Sequence, residues 1–275
     1  MNEVFEEAMS DLYENWRLFQ IVFIVMSIPD IIDLNNNREN LDIIHVTTGG
    51  GKSEAYFGLV IFLLFWDRLR GKSQGVSAIS KFPLRMLSIQ QLQRIAKIVT
   101  LAEELRKKYK INGSPLSVGY YVGVSDAFPR FTYDKIKEIK SATNKGEKIE
   151  GVLLDACPKC QGKIHLNVDK DIHQIVHNCE KCHRKYYLYF TNSEIYRFLP
   201  SIIISTVDKL ASVALNRRFK NLLGGKLSIC SDGHGFVPRN DSCEVKLGLH
   251  KSCEAETNIY DHEIEGLTLM IQDEM

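Results

Sequence analysis

Apolar residues along the chain fall into short β-rich runs at 43–47, 76–80, 116–124, 202–206 and 267–272, separated by helix-length segments such as 53–70 and 88–109. Strands that alternate with helices predict a parallel, doubly wound α/β sheet. The segment 55–66 is apolar nearly all round, as expected of a helix packed on the sheet and covered on its other side. Residues 3–28 read as one helix ending at "SIPD", because Pro29 disfavours helical geometry in the residue before it. A polar loop, "DLNNNREN", follows. Two segments break the rhythm, 145–197 and 216–266, and both read as insertions between strands of the core.

Composition changes this picture little. With 35 basic against 34 acidic residues, no global field points to a polyanionic partner, so any nucleic-acid surface must come from local clustering. The N-terminus, "MNEVFEEAMSDLYENW", is acidic where a signal peptide would be basic. The two most apolar runs, 19–32 and 55–66, are shorter than the ~18 residues that span a bilayer. The seven cysteines are odd in number and partly arranged as CxxC pairs, which favours metal binding in a reducing, cytoplasmic setting over a disulfide framework.

The chemistry begins at "VTTGGGKS", residues 46–53, between an apolar run and a long helical segment. This is the context of a phosphate-binding loop. Gly49, Gly50 and Gly51 let backbone N–H groups turn inward, the helix N-terminus adds partial positive charge, Lys52 reaches the β and γ phosphates, and Ser53 offers its hydroxyl to Mg²⁺. Val46 stands where the general pattern has glycine; the variant A-x-T-G-x-G-K-T fits better, with Thr48, Gly49, Gly51, Lys52 and Ser53 in register. At the other end of the chain, "LMIQDEM" places Asp273 after a strand, at the sheet edge where ligands of open α/β sheets bind. There Asp273 would hold Mg²⁺ and Glu274 would polarise the attacking water.

Cys157-x2-Cys160-x18-Cys179-x2-Cys182 has the spacing of a four-cysteine zinc ribbon. Four thiolates close the shell, so His165, His173, His177 and His183 read as surface residues. Cys230, Cys243 and Cys253 lack CxxC spacing; isolated buried thiols are favoured over a second site completed by His234 or His250.

These motifs together resemble the superfamily-2 helicases. "WRLFQ" (16–20) resembles the adenine-reading Q motif, "SAISKFPLRMLSIQQLQR" (77–94) motif Ia, "IISTVDKLA" (203–211) the motif before motif II, and "IQDEM" motif II itself. Within that group the chain is most similar to the DISARM phage-defence helicases of the DrmA family, which carry "TGGGKSEAY", a "PLRLLxxQQxxR" segment and cysteine insertions before "QDE". The resemblance implies a RecA-like P-loop domain in 1–144 and 198–275, interrupted by a zinc ribbon in 145–197 and a second insertion in 216–266. It implies ATP, Mg²⁺ and Zn²⁺ as cofactors, Gln20 at the adenine, and Lys81, Arg85 and Arg94 on a nucleic-acid backbone, with DNA and other defence subunits as partners. Motif III and a second RecA-like domain are missing from the sequence, so the expectation is a fragment cut after motif II. A non-hydrolysing nucleotide-binding module and an ATPase acting on protein partners stay open as alternatives.

Overall fold

The computed structural model describes residues 1–9, 15–33, 41–47, 49–123, 138, 141–142, 145, 153–154, 156–169, 171–211, 216–247, 251–261 and 264–273. Helices α1 (Asn2–Met9), α2 (Leu18–Ile32) and α3 (Lys52–Leu69) precede strand β1 (Ala78–Phe82), helix α4 (Arg85–Lys108) and strand β2 (Val118–Tyr121). Strands β3 (Ile164–Asp169), β4 (Gln174–Cys179) and β5 (Lys185–Tyr186) form a small antiparallel sheet. The chain then contributes β6 (Leu188–Tyr189), α5 (Asn192–Phe198), β7 (Ile202–Thr206) and α6 (Val207–Ala211). A second antiparallel sheet of β8 (Leu227–Cys230), β9 (Phe236–Pro238) and β10 (Thr257–Ile259) follows, and β11 (Leu269–Gln272) closes the order.

The main sheet has five parallel strands in the order β11-β1-β7-β2-β6. The strands inside it, β1, β7 and β2, are buried on both faces and so read as largely apolar runs, whereas the edge strand β11 is partly exposed, with Met270 at the surface. Ala78, Phe82, Val118, Tyr120, Ile202 and Ile204 face the core shared with α3 and α4. Ile79, Tyr121 and Ile203 face the opposite core, with Tyr196 and Leu199. This alternation is the period-2 geometry of a strand, and the architecture is the α/β class that the sequence predicts.

Three local expectations are corrected. Residues 41–47 form no strand, and Leu41 and Ile43 are exposed. An apolar run becomes a strand only where a neighbour supplies backbone partners, and none of the described strands pairs with this one. The N-terminal helical segment is two helices, α1 and α2, rather than one. Pro29 sits inside α2, which ends only at Asp33, whose N–H donates to the Pro29 carbonyl at 2.9 Å. The carbonyl that loses its donor to the proline ring belongs to Val25, on the exposed side of α2, where water can replace the lost bond. The loop 34–40 lies outside the described residues, as does most of the lysine-rich run 135–148. No helix among the described residues is long and apolar enough to cross a membrane.

Candidate nucleotide and metal sites

Gly49 and Gly51 adopt φ values of +79° and +93°, the left-handed region that favours glycine. At Gly50 a Cβ would meet Val46 Cγ1 at 2.3 Å and the Thr47 carbonyl at 2.8 Å, so only glycine fits the turn. The loop delivers Lys52 as the first residue of α3, leaving the N-terminal amides of a largely buried 18-residue helix at the site. Such a terminus carries roughly half a positive charge. Ser53 is buried beside Lys52. Thr48 lies outside the described residues.

Helix α2 positions this loop where a strand was expected to. Gly58 lets α2 approach α3 closely, since a Cβ there would meet Ile24 at 2.8 Å and Trp16 at 2.9 Å. Gln20 thereby reaches the loop, donating from Nε2 to the Gly51 carbonyl at 2.8 Å while its Oε1 accepts from the Arg17 N–H at 2.8 Å. Arg17 donates to the Gly50 carbonyl. Gln20 is buried and braces the glycine loop.

The far end of the chain meets this loop. The Asp273 N–H donates to the Lys81 carbonyl at 3.1 Å, holding the residue at the C-terminal end of β11 beside β1. Its carboxylate lies 3.2 Å from Lys52 Nζ through Oδ1 and accepts from the Tyr56 hydroxyl at 3.0 Å through Oδ2. Burial and the Asp273 charge push the Tyr56 phenol up, so it stays a donor. Arg17 and Tyr56 are the two neighbours that sequence reasoning missed. Helical spacing could have found Tyr56, one turn after Lys52; Arg17, just before α2, carries no such local signal. Glu274 lies outside the described residues.

The basic residues assigned to a nucleic-acid backbone are placed unevenly. Lys81 is half-buried at the C-terminal end of β1, next to Asp273. Arg94 pairs with the buried Glu54 at the start of α3, donates to Gln91 at 3.1 Å and lies 6.0 Å from the Phe57 ring centre. Arg85 opens α4; its side chain lies outside the described residues.

The ribbon cysteines converge. Cys157, Cys160, Cys179 and Cys182 have their sulfurs all within 4.8 Å of one another. Cys157 Sγ lies 3.7 Å from Cys182 Sγ, and Cys160 Sγ lies 3.4 Å from Cys179 Sγ. A disulfide would need about 2.05 Å, whereas a tetrahedral zinc with Zn–S bonds of about 2.3 Å places its sulfurs about 3.8 Å apart. The donor set therefore fits zinc. Two matching turns present it. In each, the first cysteine's N–H donates to the carbonyl five residues on (Cys157 to Gly162, 2.9 Å; Cys179 to Arg184, 3.0 Å), and its own carbonyl accepts from the N–H four residues on (Gln161, 2.9 Å; His183, 3.0 Å). Gln161 and His183 both take φ of +55°. Burial raises the Cys157 thiol pKa, but the Tyr186 hydroxyl and the N–H groups of Cys160 and Lys159 outweigh it and bring it down to about 6. That favours the thiolate a metal needs at Cys157, whereas burial pushes the Cys182 thiol up to about 12.

Of the four nearby histidines, His173 and His177 are buried rather than at the surface. His177 sits on the central strand of the small sheet, accepts from the Leu153 N–H at 3.2 Å and meets Phe190 edge to face. Cys230, Cys243 and Cys253 are not isolated either: with His234 they form a second buried cluster of donors within 4.8 Å of one another.

No protein-family model matches the chain. It is 29% identical over 292 residues to DISARM protein DrmA of Bacillus paralicheniformis. The match covers 94% of this chain and 25% of that protein. By sequence, this chain is close to the DrmA family and spans about a quarter of the relative it matches.

Proposed function

We propose that this chain is the nucleotide-binding half of an ATP-driven nucleic-acid translocase of the superfamily-2 helicase type, acting in defence against phage. The contact between Lys52 and Asp273, 3.2 Å apart at the C-terminal edge of a parallel sheet, carries this reading. A lysine at a glycine-loop helix terminus and a carboxylate at a strand end are the two charges that phosphate and its metal require. With ATP bound, Lys52 exchanges Asp273 for phosphate oxygens, and the amides of Gly49 to Ser53 surround the phosphates. Mg²⁺, held by Ser53 and Asp273, would neutralise charge on the phosphate oxygens. Glu274 would orient the attacking water. Gln20, which braces the loop through Gly51, couples that loop to the segment assigned to the adenine. Lys81, Arg85 and Arg94 would contact the backbone of a single-stranded nucleic acid, and the similarity to a DISARM protein makes other defence subunits the expected partners.

The expected behaviour is ATP binding with very slow turnover. In related phosphoryl transfers an arginine supplied from a second domain or protein is worth about 10³ to 10⁵ in rate, and this chain supplies one such domain. Steady-state ATPase assays with and without single-stranded DNA test this. Slow turnover that rises when the remainder of a DrmA-like protein is added supports the proposal. Fast, DNA-stimulated turnover by this chain alone, lost in Glu274→Gln, would show that it, or a second copy of it, completes the site unaided.

A further inference from the structure

The second cysteine cluster is built like the first. Cys230 opens a turn in which its N–H donates to the Gly235 carbonyl, five residues on, at 3.1 Å. This is the same closing bond that both ribbon turns make from Cys157 and Cys179. Gly233 and Gly235, with φ of +75° and +94°, bend the turn around His234, and a Cβ on Gly235 would meet the Arg197 carbonyl at 2.4 Å. Cys243 and Cys253 come from a separate antiparallel element, joined by the Cys253 N–H to the Val245 carbonyl at 2.8 Å and by the bridge between Lys246 and Ser252. A turn and a hairpin thus converge on one point.

The distances select the ligand. Cys230 Sγ and Cys243 Sγ each lie 3.6 Å from His234 Nδ1, and Cys230 Sγ lies 3.8 Å from Cys253 Sγ. With Zn–S of about 2.3 Å and Zn–N of about 2.05 Å, a tetrahedral ion sets S···N near about 3.6 Å and S···S near about 3.8 Å. A Cys230–Cys253 disulfide would need the sulfurs closer by about 1.8 Å. We propose that Cys230, His234, Cys243 and Cys253 bind a second, structural zinc ion through three thiolates and one imidazole. Four protein ligands fill the shell, leaving no open position for catalysis.

The surroundings suit that ion. His234 is buried, and its Nδ1 faces the sulfurs of Cys230 and Cys243. Binding releases three thiol protons and leaves a zinc centre of three thiolates and one neutral imidazole with a net charge of −1. The buried Arg197 guanidinium lies against the cluster and donates to the His234 carbonyl at 2.8 Å. Arg197 also donates to the carbonyls of His173 (2.7 Å) and Ile172 (3.3 Å), at the turn between β3 and β4. One arginine of α5 therefore fastens the ribbon to the second cluster. Beyond Cys253 the chain pairs β10 with β8, bridges Ile264 to Gly225 and enters β11, so the ion would clamp the segment that delivers Asp273.

Elemental analysis of the purified chain tests this, with about two zinc ions per chain expected when both the four-thiolate site and the three-thiolate, one-imidazole site are full. His234→Ala should lower the content by one, whereas His234→Cys, which restores a fourth soft donor, should keep both. Should His234→Ala fail to fold, alkylation of the unaltered chain decides: Cys230, Cys243 and Cys253 should be protected from iodoacetamide until a strong chelator is added. One zinc in the unaltered chain, two in His234→Ala, a disulfide among these cysteines, or reactivity indifferent to the chelator would each overturn the proposal.

Discussion

Replacing Cys157 and Cys179 together with serine should abolish zinc binding by the ribbon and open residues 156–189 to proteolysis. Structural zinc supplies about 10 to 16 kcal/mol of apparent free energy in small zinc modules. The sheet of β3, β4 and β5 is too small to replace that from its own burial. The loss should not stay wholly local. Ile164, Leu166, Ile175 and Tyr186 belong to the same continuous core as Phe57, Ile61 and Leu92, so the melting temperature of the whole domain should fall as well. Proteolytic mapping should show cuts within 156–189 first, with β1, β2, β7 and β11 still protected. Zinc content and cleavage pattern unchanged from the parent would refute the ribbon assignment.

Lys52→Ala should weaken ATP binding by roughly ten- to a hundredfold. Hydrogen bonds to charged groups are worth about 1.5 to 3 kcal/mol each, and about 1.4 kcal/mol is tenfold in affinity. The backbone amides of Gly49 to Ser53 remain in the variant, so binding should be weakened rather than erased. The substitution also leaves the buried Asp273 with Tyr56 but without the lysine, which should lower stability modestly. Asp273→Asn separates the two effects: it should keep much of the metal-free affinity and lose the Mg²⁺ dependence. A fluorescent-nucleotide titration with equal affinities for Lys52→Ala and its parent would contradict the phosphate-loop assignment.

Much of this site was legible because its determinants are local. Gly49 and Gly51 are needed wherever the backbone takes positive φ, and a CxxC pair makes a metal turn within a few residues. The parallel sheet was legible for a similar reason, since its central strands are buried on both faces and therefore mostly apolar. What failed depended on partners distant in sequence. The run 43–47 has strand propensity, but propensity does not say which neighbour will pair with it. Pro29 reads as a helix end because local geometry does not reveal that the freed Val25 carbonyl lies on the exposed side of the helix. His177 and the second cluster failed likewise. Cys230 and His234 come from one turn and Cys243 and Cys253 from a hairpin, so no single spacing joins them. Arg17 shows the same limit from the other side, since its role depends on how closely Gly58 lets α2 approach α3.

Calorimetric titration of ATP into the unaltered chain, in Mg²⁺ and again in excess chelator, bears most directly on the claim that Lys52 and Asp273 frame a nucleotide site. The arrangement of a lysine and a carboxylate 3.2 Å apart beneath a glycine loop predicts saturable binding at one site, tightened by Mg²⁺ and competed by ADP. No saturable binding at millimolar ATP, or binding indifferent to both Mg²⁺ and the loss of Lys52, would contradict it.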